Sequence, residues 1–86
     1  MATYEVTFAT SARKELERLH EPLRSRLYAR IEALGSNPRP AGCRKLEGAE
    51  DLWRIRIGDY RVIYSVDDSR RLVDISVVRH RSDAYR

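Results

Sequence analysis

Leu52-Trp53-Arg54-Ile55-Arg56-Ile57-Gly58-Asp59-Tyr60-Arg61-Val62-Ile63-Tyr64-Ser65-Val66 reads as two β-strands joined by a two-residue turn. In the first strand Trp53, Ile55 and Ile57 alternate with Leu52, Arg54 and Arg56. In the second, Tyr60, Val62, Tyr64 and Val66 alternate with Arg61, Ile63 and Ser65. Successive side chains of a strand point to opposite faces. One face of this hairpin is therefore apolar, and the other carries Arg54, Arg56 and Arg61. Gly58-Asp59 suits the turn, because Gly takes positive φ at no steric cost and Asp tolerates it. A charged sheet face is ordinarily a solvated surface. Here the guanidinium groups converge on one face, and the C-terminal end of the chain adds Arg79, Arg81 and Arg86.

Working outward toward the N-terminus, Thr3 to Phe8 alternates, with Tyr4, Val6 and Phe8 on one side, and reads as a first strand. Thr10 or Ser11 offers a helix N-cap, and Ala12, Leu16 and Leu19 form a helical stripe to about His20. Pro22 is placed as the first residue of a second helix. Leu23, Leu27, Ile31 and Leu34 recur at helical spacing, with Gly35 as C-cap and Pro38 and Pro40 preventing continuation. Arg24, Arg26 and Arg30 read as surface charge on that helix, able to touch RNA without sequence selectivity. Asn37 to Cys43 is a loop by its Pro and Gly content. Arg44-Lys45-Leu46 reads as a short strand. Beyond the hairpin, Asp67 to Arg70 is a turn and Leu72 to Val78 a last strand, with Val73, Ile75 and Val77 on one face. The expected class is α+β: an N-terminal strand, an α-helical hairpin, then an antiparallel sheet with the helices packed on one face. The arginines of the hairpin point into the other face.

Eighty-six residues with 42% hydrophobic and 35% charged side chains make one globular domain spanning residues 1–86. The net charge of +4 and pI of about 9.6 favour an acidic partner, nucleic acid or protein. The single Cys43 excludes an internal disulfide, builds no metal site alone and fits a reducing cytosol. No apolar run is long enough to cross a membrane, and the MATYEVTF start lacks the apolar core of a signal peptide, so a cytoplasmic protein is expected.

A set of short motifs now carries a resemblance. Lys45-Leu46-x-Gly48, Leu52-Trp53-Arg54-Ile55-Arg56, Gly58-Asp59-Tyr60-Arg61-Val62-Ile63-Tyr64 and Val77-Val78-Arg79-His80-Arg81 with Tyr85 together resemble the RelE/ParE superfamily, small toxins of toxin–antitoxin pairs. The likeness covers essentially the whole chain, and the ending HRSDAYR is closer to the RelE branch than to the gyrase-directed ParE branch. For a RelE-like toxin the resemblance implies a ribosome-dependent endoribonuclease that cuts mRNA in the A site without metal or cofactor. The ribose 2′-hydroxyl attacks the adjacent phosphate, leaving a 2′,3′-cyclic phosphate and a 5′-hydroxyl. The family's functional positions fall on Arg54, Arg56, Arg61, Arg81 and Tyr85. Arg61 is placed to bind the scissile phosphate through bidentate donors, Arg81 to share its charge, and Tyr85 to stack on a base or orient the hydroxyl. Lys45, Arg79 and Arg86 add RNA-binding charge.

Well-known RelE toxins carry lysines where this chain has Arg54 and Arg56. Arginine stays protonated, so these two read as electrostatic stabilisers. His80 or Glu47 is then a candidate for the base. The resemblance also implies a RelB-like antitoxin whose C-terminal segment wraps the toxin and sets acidic side chains against the basic face, with DNA contacted only through the antitoxin. The alternatives are a ParE-type gyrase inhibitor, or a catalytically weak homologue that only binds its antitoxin.

Overall fold

The computed structural model describes residues 3–48 and 51–82. Strand β1 (Glu5–Phe8) leads into helix α1 (Thr10–Glu17) and helix α2 (Leu23–Glu32), which ends in a 3₁₀ turn (Ala33–Gly35). Four strands follow: β2 (Arg44–Lys45), β3 (Leu52–Ile57), β4 (Tyr60–Asp67) and β5 (Leu72–His80). They form one sheet in the order β1-β5-β4-β3-β2. The α+β arrangement is as expected, with one addition. The strands after the helices are antiparallel to their neighbours, whereas β1 joins β5 in parallel. The helical pair is the crossover that permits this. It carries the chain over one face to the far edge, and three reversals bring β5 back beside β1.

The core lies between the helices and that face. Leu16, Leu27, Ile31 and Leu34 meet Ile55, Ile57, Val62, Tyr64, Val73, Ile75 and Val78, all buried. Trp53 and Tyr60 pack partly buried at its margin. The hairpin follows the expected alternation, and its turn takes positive φ at Gly58 alone, the type II′ pattern with glycine first.

Several local expectations are corrected by the chain's surroundings. Neither Thr10 nor Ser11 caps α1. Ala9 is the cap: its N–H donates to the Ile75 carbonyl at 2.8 Å, so the chain passes from the sheet ladder straight into the helix. The helix stops at Glu17, short of His20, yet Leu19 stays buried. Pro22 is the residue before α2, and the Glu21 carboxylate accepts the Ser25 N–H at 3.0 Å; hydrogen bonding from the Ser25 hydroxyl, then from its N–H, lowers the Glu21 pKa. Gly35 is no left-handed cap. A Cβ there would stand 2.9 Å from the Tyr4 carbonyl oxygen, and the Gly35 carbonyl accepts the N–H groups of Thr3 and Tyr4. The glycine is required by close approach of β1.

The largest departure is in β5. The strand runs on to His80, and its register against β4 shifts from Tyr64↔Ile75 to Ile63↔Val77, leaving Ser76 as an extra residue. Such a bulge reverses the alternation beyond it. Val73 and Ile75 face the core as expected, but Val78 replaces Val77 there. The turn before β5 is shifted by one residue to Asp68–Arg71, with Arg71 at φ 54°.

The loop between α2 and β2 is held to the sheet. Asp68 accepts both terminal nitrogens of Arg39, at 3.2 and 2.8 Å, and the Tyr4 hydroxyl at 2.6 Å. The Arg39 guanidinium lies 5.1 Å from the Trp53 ring centroid. Tyr64, buried, donates its hydroxyl to the Pro38 carbonyl at 2.7 Å. Among the described residues no helix is long and apolar enough to cross a membrane.

Candidate functional site

The face away from the helices is built in rows by the strand register. Arg56 stands opposite Arg61, and Arg61 opposite Arg79, so these three side chains cross β3, β4 and β5 in one line. The neighbouring row is Arg44, Arg54, Ile63 and Val77. Further along come Leu52, Ser65, Asp74 and Thr7, where the Thr7 hydroxyl donates to the Asp74 carboxylate at 2.8 Å. The arginines therefore occupy one end of the face, at the Gly58–Asp59 turn, and the carboxylates the other.

After β5 the chain is pinned to that turn: the Arg81 N–H donates to the Asp59 carbonyl at 2.7 Å. This bond extends the ladder by one step and places Arg81 beside Arg56 and Arg61. The three line a pocket of about 510 Å³ with Gly58, Asp59, Tyr60 and Ser82. Arg56 and Arg81 are exposed and Arg61 is half-buried between its strand neighbours. Guanidinium groups so gathered can bind an oxyanion through several charge-assisted hydrogen bonds at once. The Ser76 bulge is what makes the gathering possible. Unbroken alternation from Val73 would have turned Arg79 and Arg81 toward the helices.

The other sequence candidates divide. Arg54 lies on the same face one row away and lines an adjoining pocket that shares Arg56. His80 is separated from the arginines. It pairs with Tyr60 on the helix side of the sheet, the two rings meeting edge-to-face at 5.2 Å, and its Nδ1 accepts the Ser82 N–H at 3.2 Å. Lys45, opposite Trp53, also falls on the helix side. Glu47 lies in the turn after β2 and lines neither pocket. Tyr85 and Arg86 lie outside the described residues. Arg30, read from sequence only as helix surface charge able to touch RNA, and Arg44, given no site role there, line the adjoining pocket. The signal for Arg44 was its register with Arg54; for Arg30 no local pattern distinguishes it from other exposed helix charges.

Comparison with known proteins bears on this arrangement. The family model of the ParE toxin of type II toxin–antitoxin systems matches residues 6–85. The toxin RelE of Mycobacterium tuberculosis is 33% identical over 84 residues, which take in 96% of this chain and 87% of that protein. A chain of the archaeal RelE–RelB complex from Pyrococcus horikoshii superposes with a TM-score of 0.82 at 34% identity, covering 92% of this chain and 96% of that one. The isolated E. coli RelE toxin superposes at 0.79 and 29% identity, covering 96% and 92%. With the family model spanning residues 6–85 and the fold and length shared with these relatives, this chain belongs to the RelE/ParE superfamily of type II toxin–antitoxin toxins, near its RelE branch.

Proposed function

We propose that the protein is a ribosome-dependent mRNA endonuclease, a cytoplasmic single-domain toxin that stops translation. The observation that carries this reading is the convergence of Arg56, Arg61 and Arg81 on one pocket at the β3–β4 turn. Cleavage by 2′-hydroxyl attack forms a bond from O2′ to phosphorus and breaks the bond from phosphorus to O5′. The products are a 2′,3′-cyclic phosphate and a 5′-hydroxyl. The 2′ proton is lost and the leaving O5′ gains one. Negative charge grows on the non-bridging oxygens of the pentacoordinate phosphorus, where fixed positive donors lower the barrier. Arg61 and Arg81 bind the scissile phosphate and meet that charge, with Arg56 and Arg54 extending the positive field. Guanidinium stays protonated, so these side chains supply charge and orientation and take no part in proton abstraction.

The partner is a RelB-like antitoxin. Relatives of the fold were solved in RelE–RelB complexes from Pyrococcus horikoshii and Mycobacterium tuberculosis, and the net charge of +4 suits an acidic covering segment. Because the matching family model is that of ParE toxins, gyrase inhibition is the second reading.

Cell-free translation with purified protein, followed by primer extension on the message, separates the two. New ends that require ribosomes are expected. Arg61→Ala should lower their formation by about 100-fold or more, with antitoxin binding retained. An intact message together with lost supercoiling activity of gyrase would replace the nuclease reading by the second.

A further inference from the structure

Beside the pocket that holds Arg61 and Arg81 lies a second one, of about 580 Å³. It is lined by Arg30 of α2, Ala41 and Gly42 of the preceding loop, Arg44 of β2, and Arg54, Ile55 and Arg56 of β3. Four of its seven lining residues are arginines from three different elements, and no carboxylate is among them. Arg30, Arg44 and Arg56 are exposed. The two pockets share Arg56. Residues two apart on a strand are about 6.8 Å apart, so Arg54 and Arg56 are separated by the order of one nucleotide step along an extended single strand.

The geometry of β2 explains why this site is open. β2 covers only Trp53 and Arg54 of β3. Beyond them, the outer edge of β3 is left uncovered by β2, and the backbone of Arg56 points outward there, because Ile55 and Ile57 are the residues turned to β4. A smaller cavity of about 210 Å³, lined by Ala33, Leu34, Asn37 and Pro40, adjoins the arginines and shares Arg30 and Ile55 with them. A cationic, anion-binding site thus has an apolar neighbour, matching the phosphate and base that a nucleotide presents.

We propose that Arg30 and Arg44 hold a second phosphate of the same RNA strand, flanking the scissile one, with Arg56 between the two. This rests on the reading of the first pocket as the scissile-phosphate site. It assigns to α2 and β2 a positioning role: they fix the strand's register across the sheet. Neither residue touches the reacting phosphate.

The test is equilibrium binding at low salt of a fluorescent oligoribonucleotide made uncleavable by a 2′-deoxy group at the scissile step. Wild type is compared with Arg30→Gln/Arg44→Gln. Arg18→Gln/Arg70→Gln, two exposed residues on other parts of the molecule, removes the same charge. Each phosphate next to the scissile one is replaced in turn by a neutral methylphosphonate. The Arg30/Arg44 variant should bind about tenfold more weakly, and its salt slope should fall by about 0.7, one phosphate's worth for a single strand. One methylphosphonate should reproduce the loss in wild type and cost nothing further in the variant. Equal weakening in the Arg18/Arg70 pair, additive losses at every phosphate, or no binding by wild type would each overturn the proposal. Cleavage on programmed ribosomes is read in parallel with wild type. A protein that binds in this pattern and cuts nothing loses the nuclease reading and keeps the second phosphate site. A protein that cuts but shows additive losses does the reverse.

Discussion

His80 sits one residue from Arg79 and from Arg81, yet across the sheet from both. Its ring packs on Tyr60 and its Nδ1 accepts the Ser82 N–H, with the Ser82 hydroxyl oxygen 2.8 Å away. These contacts end β5 and keep the imidazole on the helix side. His80→Gln should therefore leave message cleavage within about threefold of wild type, while removing an edge-to-face contact worth roughly 0.5–1.5 kcal/mol. Single-turnover cleavage beside thermal melting checks both halves, and a loss of two orders of magnitude in rate would instead make His80 the proton acceptor. Gly35 offers a second residue-level case. A methyl group there meets the Tyr4 backbone oxygen at 2.9 Å, and a backbone atom cannot swing aside. Gly35→Ala is expected to destabilise the fold by about 1–3 kcal/mol, in the range of overpacked sites, measurable as a lower urea midpoint with an unchanged slope.

Between elements, Asp68 is the junction. From the β4–β5 turn it joins the loop after α2 through Arg39, and the residue just before β1 through Tyr4. The Arg39 hydrogen bonds, then that of Tyr4, hold the Asp68 carboxyl below the usual carboxylate range. A depressed carboxylate contributes stability that is present above its unfolded pKa, near 3.9, and is lost as pH falls through the folded value. The same hydrogen bond raises the Tyr4 pKa, so the phenol's share is full below about pH 10 and is lost as pH rises through its folded value. Melting followed from about pH 5 down to pH 2 should show an acid limb in wild type that is smaller in Asp68→Asn; identical limbs would mean the clamp adds nothing to folding. The Ser76 bulge acts at the same scale. By adding one residue to β5 it lets a single strand present Val73 and Ile75 to the core before the bulge and Arg79 to the open face after it.

For the molecule as a whole, that open face is polar along the strand direction. Arg56, Arg61 and Arg79 stand at the hairpin end; Glu5, Asp67 and Asp74 stand on strands at the other end. The chain's charge of +4 understates the local field at the arginine end. Encounter with an acidic antitoxin segment should be steered by that field and screened by salt, since the Debye length is about 10 Å at 0.1 M. The association rate is expected to fall by roughly tenfold or more from low to high ionic strength, with the dissociation rate nearly constant. Stopped-flow mixing across a salt series measures it, and a flat association rate would show that contact is made through apolar surface alone.

The hairpin, the helical pair and the arginine face were all determined by local pattern. Alternation along Leu52–Val66 decides which side chains share a face, because a strand's period is two and needs no knowledge of its neighbours. Helical spacing likewise placed Leu16, Leu27, Ile31 and Leu34 in the core. Motif order across the chain marked the family, a reading that comparison with known proteins supports. What the sequence by itself did not determine is everything that depends on register between strands distant in the chain. Parity alone puts Val77 in the core and leaves Arg79 and Arg81 beside it. Only the pairing of β5 with β4 introduces Ser76 as an unpaired residue and turns both arginines to Arg56 and Arg61. The need for Gly35 arises from a backbone thirty-one positions away, and Arg30 meets Arg44 and Arg56 only once α2 lies over the sheet edge. Local preference is set by residues within a few positions, whereas these meetings are set by how the helical layer and the sheet close on one core.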